Sequence, residues 1–173
     1  MFMSVIESGN SVTVHPELAG ARVLITGISG RFGVDVARAF AENGCRIVLH
    51  GEASPELTGI GEILAKSALD VRMFHDDLGA GDAAVRFAQS AAQAFGGLDA
   101  VVNLIEIPAA DLEGRTSVGE IEDMISARLL PATLMSRVFA NRMRLTLTDG
   151  MVLNVVLMPA PVNENEAALA ALT

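Results

Sequence analysis

The 173-residue chain is 51% hydrophobic and 19% charged, a balance that supports one buried core and excludes intrinsic disorder. A net charge of -9, with twelve scattered Lys and Arg, argues against a nucleic-acid backbone as partner. The lone Cys45 cannot form an internal disulfide. MFMSVIESGN lacks a basic region and an apolar run, and no stretch approaches the roughly 18 apolar residues of a spanning helix, so a cytoplasmic protein without membrane attachment is expected.

Residues 1–17 read as an N-terminal extension and 18–173 as a single domain. Arg22 to Thr26 (RVLIT) is a short apolar run of strand type, followed by the turn TGISGRFG from Thr26 to Gly33. Phe32, Val36 and Phe40 then step at helical spacing to Asn43-Gly44, a glycine suited to end a helix. Arg46 to His50 reads as the second strand, and Ser54-Pro55 opens a helix with Pro where its missing N–H costs nothing. Val71 to His75 is the third strand. Val85, Ala88, Ala92 and Phe95 mark a helix closing at Gly96-Gly97, and Asp99 to Ile105 is the fourth strand. Ser117 and Glu120 form a capping box for a long helix to about Met143, with Ile121, Ile125, Ala132, Met135 and Phe139 on one side. Met151 to Met158 is the fifth strand, and a short helix over 163–173 comes after it. Continuous apolar runs predict strands buried on both faces. Their alternation with helices predicts a Rossmann-like α/β fold, a doubly wound parallel sheet in the order 3-2-1-4-5.

In that context the glycine turn carries chemistry. Gly27, Gly30 and Gly33 sit between the first strand and its helix, where a sharp turn, close backbone approach and a free helix N-terminus suit a pyrophosphate. A turn that needs glycines for its own geometry is the competing reading. Glu52 stands nineteen residues after Gly33, near the offset of an acid that holds an adenosine ribose, or is an ordinary loop acid. Asp76-Asp77-Leu78 ends the third strand where an adenine would lie, and Asn103 sits in the fourth beside the expected crevice. His50 and His75 end neighbouring strands and read as strand-terminal polar residues rather than acids or bases. No metal spacing joins them to Cys45. The five methionines at 124, 135, 143, 151 and 158 read as flexible core or interface filling.

LAGARVLITG into the glycine turn, Asp77-Leu78, GGLDAVVN, DGMVLNVV and AALAALT occur in order, and together they resemble the short-chain dehydrogenase/reductase family from about Leu18 onward. The resemblance implies a nicotinamide dinucleotide, NAD ahead of NADP. The contacts would come from Gly27, Ser29, Gly30, Arg31, Phe32 and Gly33 of the turn, with Glu52, Asp77, Leu78 and Asn103. Glu52 would repel a 2'-phosphate, whereas Arg31 would attract one. The turn has Arg31 where the commonest family spacing has glycine, and fits instead the TGxxGxxG spacing of the extended members. Leu104-Ile105-Glu106 replace the usual asparagine, alanine and glycine after Asn103.

The family polarises a carbonyl with serine and tyrosine hydroxyls, the tyrosine tuned by a lysine. The chain contains no tyrosine. By alignment with AALAALT, Val162 and Glu166 occupy the tyrosine and lysine positions, Val156 to Met158 the serine region, and Ala127 or Arg128 the asparagine position. No catalytic residue is therefore assigned. The chain also reads as shortened at its C-terminus relative to the family, leaving the fifth strand at an edge. A homodimer or a partner chain through 117–143, 151–158 and 163–173 is expected. Two functions are compatible with these residues: a non-catalytic or regulatory dinucleotide-binding or interaction module, or an NAD(P)-dependent oxidoreductase of a carbonyl or alcohol substrate with atypical residues or a complementing chain. An S-adenosylmethionine methyltransferase shares the glycine turn and the acids, but lacks the Thr26-Gly27 start and the AALAALT ending.

Overall fold

The computed structural model describes residues 15–28, 30–79, 82–107 and 117–158. After a 3-10 turn, Pro16–Leu18, the elements are β1 Arg22–Thr26, α1 Gly30–Glu42, β2 Arg46–His50, α2 Pro55–Leu64 and β3 Asp70–Phe74. They continue with α3 Ala83–Ala91, β4 Ala100–Glu106, α4 Val118–Met124, a π-helical turn Ile125–Leu129, α5 Leu130–Thr146 and β5 Met151–Leu157. The five strands form one parallel sheet in the order β3-β2-β1-β4-β5.

Strand alternation divides the core into two layers. On one face Leu24, Val48 and Val101 pack with Phe87 and Ala88 of α3 and with Met135, Phe139 and Met143 of α5. On the other, Val23, Ile25, Ile47, Leu49 and Val102 pack with Ala37 and Ala41 of α1 and Leu64 of α2. Three helix ends agree with the sequence signals, whereas α3 stops at Ala91, short of the expected Gly96-Gly97, and leaves Ala92 and Phe95 in the turn beyond it. Gly44 closes α1 at φ +70°, where an L side chain is strained. Ser54 accepts from Leu57 N, 3.1 Å away, with Pro55 as first residue of α2. Ser117 and Glu120 make the reciprocal capping box of α4. Among the described residues, no helix is long and apolar enough to cross a membrane.

Three expectations are corrected. Only β1, β2 and β4 are buried strands; β3 and β5 are edges with most side chains exposed or half-exposed, because each pairs on one side alone. β3 and β4 also lie within one residue of the expected limits. The long helix runs unbroken from Val118 to Thr146, but the π turn within it adds a residue to one turn and rotates the face of α4 relative to that of α5, so the expected single apolar side is split. Ala132, Met135 and Phe139 are accordingly buried while Ile121 and Ile125 are exposed. Phe32, at the start of the α1 stripe, is 49% exposed, whereas Val36 and Phe40 pack against the core. The helix expected over 163–173 lies outside the described residues.

Candidate functional site

An open cleft of about 340 Å3 lies at the C-terminal ends of β1, β2 and β4. This is the switch point between β1 and β4, where chain connections leave toward opposite faces and doubly wound sheets bind ligands. Gly27, Ile28, His50, Gly51 and Glu52 line one side, Leu78 and Gly79 one end, and Leu104, Ile105 and Glu106 the β4 side. Ala127, Arg128, Pro131, Ala132 and Met135 form the wall contributed by the π turn and α5.

The turn's glycines have different reasons. Gly27 has φ +70°, and a Cβ there would lie 2.0 Å from the Leu104 carbonyl oxygen, so only glycine fits between β1 and β4. A Cβ at Gly33 would come 3.3 Å from Ile28 Cα, a close approach of helix to turn. The geometric reading of the turn therefore holds for Gly27, and it leaves Gly30, first residue of α1, as the position facing the helix N-terminus. The first turn of α1 contains no acidic residue. The positive dipole end of α1 consequently meets no competing carboxylate from that turn.

The remaining expected residues separate. Gly27, Glu52 and Leu78 line the cleft together. Asp77 is exposed and shapes its own loop, its Oδ1 accepting from Gly79 N at 2.9 Å. Arg31 projects from α1 with a side chain 92% exposed, its Nε 3.7 Å from Asp35. Phe32 is half-exposed beside it, and Ser29 lies outside the described residues. Asn103 does not line the cleft: it is fully buried, with its amide committed to neighbours. Thr26 Oγ1 donates to Asn103 Oδ1 at 3.0 Å, and Asn103 Nδ2 donates to Asn154 Oδ1 at 2.8 Å and to Ser136 Oγ at 3.2 Å. Thr26, Asn103 and Asn154 are register partners across β1, β4 and β5, so this polar row ties three strands beneath the cleft.

At the opposite end from Glu52, the cleft presents the exposed Glu106 and Arg128. Val156 and Leu157 end β5 and Met158 follows it, Val156 and Met158 exposed and Leu157 half-buried. Val162 and Glu166 lie outside the described residues. His50 is the wall residue whose importance the sequence concealed: it is 7% exposed and burial depresses its pKa, against a smaller opposing effect of its bond to Asp76. The signal available was a lone polar residue closing an otherwise apolar strand.

A sheet ordered 3-2-1-4-5, helices on both faces and a glycine turn at the switch point define the doubly wound, Rossmann-like class of α/β domain. The sequence profile of the short chain dehydrogenases matches residues 21–167, and the chain belongs to that family. No curated protein matches the sequence. Among solved structures, the NADH-dependent reductase A1-R' complexed with NAD superposes with a TM-score of 0.65 at 19% identity, covering 80% of this chain and 60% of that one. The L-sorbose reductase from Gluconobacter frateurii, complexed with NADPH and L-sorbose, gives 0.67 at 22% identity over 79% and 52%. A short chain dehydrogenase from Mycobacterium avium gives 0.67 at 24% identity over 79% and 54%. The chain thus spans between half and 60% of the length of these relatives.

Proposed function

We propose that this chain binds a nicotinamide dinucleotide, NAD ahead of NADP, as a non-catalytic or regulatory member of its family. The observation that carries the reading is the acid-free start of α1 at the β1/β4 switch point, with Glu52 on the rim of the same cleft. Those groups fit the ligand: α1 N–H groups for the pyrophosphate, the Glu52 carboxylate for ribose hydroxyls, and Leu78 for the adenine face. Glu52 disfavours a 2'-phosphate, and Arg31 is turned toward Asp35 on the solvent side. A bound nicotinamide would supply hydride chemistry only on the second reading below; on this one the residues of the chain bind and orient the dinucleotide.

The non-catalytic part rests on composition at the far end of the cleft. Ala127 and Arg128 line it where the family places an asparagine, and the chain has no tyrosine to transfer a proton. An oxidoreductase with atypical residues is the second reading, favoured by Glu106 and Arg128 standing as charged groups at that end. A cytoplasmic location accords with the single cysteine. A homodimer, or a partner chain, through α4, α5 and β5 accords with exposed Ile121, Ile125, Leu130, Met151, Leu153 and Val156.

Calorimetric titration with NADH and NADPH, followed by a carbonyl-substrate panel, tests both readings. Tighter binding of NADH without turnover is expected. No binding of either cofactor overturns the proposal, and steady turnover moves it to the oxidoreductase reading. Gly30→Asp places a carboxylate at the α1 N-terminus and is expected to weaken binding at least 100-fold with the circular dichroism spectrum unchanged; unaltered affinity would exclude the site.

A further inference from the structure

β2 runs Ile47, Val48, Leu49 and then His50, all buried. The imidazole packs against the Phe87 ring, centroids 4.5 Å apart. Its Nε2 lies 2.7 Å from the Asp76 carbonyl oxygen, and because a carbonyl only accepts, Nε2 carries the proton. Nδ1 is then a bare acceptor, buried and without a hydrogen-bond partner among the described residues. A valine or leucine would fill this place without leaving a dry acceptor, so the histidine is explained by what Nε2 holds.

What it holds is the loop after β3. Beyond the ladder that pairs β2 with β1 and β3, four contacts join residues 50 and 51 to neighbouring segments among the described residues. Ile28 N donates to His50 O, Gly51 N donates to Phe74 O, and His75 Nδ1 meets Gly51 O, each at 3.4 Å. These are long bonds. The fourth, from the imidazole to Asp76, is the short one. Immediately beyond Asp76, the Asp77–Gly79 turn places Leu78 and Gly79 on the cleft wall.

We propose that His50 is a positioning residue for the nucleoside end of the cleft, a latch joining the glycine turn at its backbone oxygen to the Asp76–Gly79 loop at its ring. The ligand half of this proposal rests on the dinucleotide reading above. The latch itself is independent of any ligand. A pre-set loop spares the ordering entropy otherwise lost on binding, so the latch acts on affinity for the adenosine portion.

The test uses the whole chain as wild type, H50L and H50Q, the glutamine keeping an amide donor of similar reach. Imidazole nitrogen shifts of the wild type are expected to show the Nε2–H tautomer, and the Nδ1–H tautomer would overturn the latch. Without ligand, H50L is expected to raise hydrogen exchange of the Leu78 and Gly79 amides about tenfold, with H50Q restoring most of the protection. H50L is further expected to weaken ADP-ribose about tenfold, leaving nicotinamide mononucleotide unaffected. Unchanged exchange in H50L, or ADP-ribose binding equally to wild type and H50L, removes the latch and leaves the dinucleotide reading standing. A wild type that binds no ADP-ribose or dinucleotide while exchange still responds removes the dinucleotide reading and leaves the latch. Should H50L fail to fold, the wild-type tautomer and the H50Q exchange pattern decide the question.

Discussion

The two flanks of the sheet are built to different standards. At β2 and its loops the chain is closely tied: β2 is buried from Ile47 to His50, α1 and α2 cover one face, and side-chain and backbone bonds tie its loops together, the His50 Nδ1 acceptor being the exception. Toward β5 the described structure presents Met151, Leu153, Val156 and Met158 to solvent, and the long helix likewise exposes Ile121, Ile125 and Leu130. On the proposed dinucleotide reading, the nucleoside end of the cleft is built from residues that hold one another, and the far end lies beside the face proposed for a second chain.

The largest effect in breaking this contrast belongs to its centre. Gly27→Ala forces a Cβ onto the Leu104 carbonyl oxygen at positive φ, and denaturant unfolding is expected to show a loss of at least about 3 kcal/mol. Gly20→Ala shares the positive φ but meets open space and is expected to lose about 1 kcal/mol. Equal losses would show that the β1/β4 junction yields. On the open flank, Leu153→Lys is expected to convert a dimer to monomer by light scattering; a monomeric wild type at micromolar concentration would remove the homodimer proposal.

The smallest effect concerns acid. Burial lowers the His50 pKa in the folded state, with the neighbouring His75 charge acting in the same direction and Asp76 opposing. Glu52, on the same cleft wall, is the nearby loop carboxylate. Below about pH 6.5 the unfolded chain takes up a proton that the folded chain resists, so stability is present above that pH and falls as pH drops toward the folded value. Melting temperatures from pH 7.5 to 5 should decline in wild type and decline less in H50Q. Parallel curves would mean that His50 is not the titrating group.

The architecture was legible because local signals agreed with one another. Apolar runs bounded by glycine, Ser54-Pro55 and the Ser117–Glu120 box each marked an end that the structure retains. The π turn was not legible in 125–129, whose composition matches the helices around it; the available signal was Pro131, which has no N–H to donate to the Ala127 carbonyl four residues back. Edge status followed from the expected order 3-2-1-4-5; what the sequence did not show was burial, since RVLIT and MVLNVVL are both apolar, yet β1 is buried and β5 is exposed or half-exposed throughout. In the site, Glu52 and Leu78 were readable from position, whereas Asn103 and His50 depended on partners distant in sequence. Asn103 turned inward to Asn154, 51 residues away, and His50 reached Asp76, 26 away.

The β1/β4 seam beneath the cleft carries a further consequence, for folding. Its two ends are pinned by side chains with the same spacing: Arg22 grips Asp99 through Nε at 2.9 Å, and Thr26 donates to Asn103 at 3.0 Å, each pair 77 residues apart. Pairing of β1 with β2 closes a loop of only 24 residues, Arg22 against Arg46. The longer closure costs about 1 kcal/mol more in chain entropy, so the nearer neighbours have the advantage and the seam is the late event. A slip of one residue there would point both donors away from both acceptors at once. The two pins thus serve as a check on register, and the cleft comes into being only when the chain has passed it.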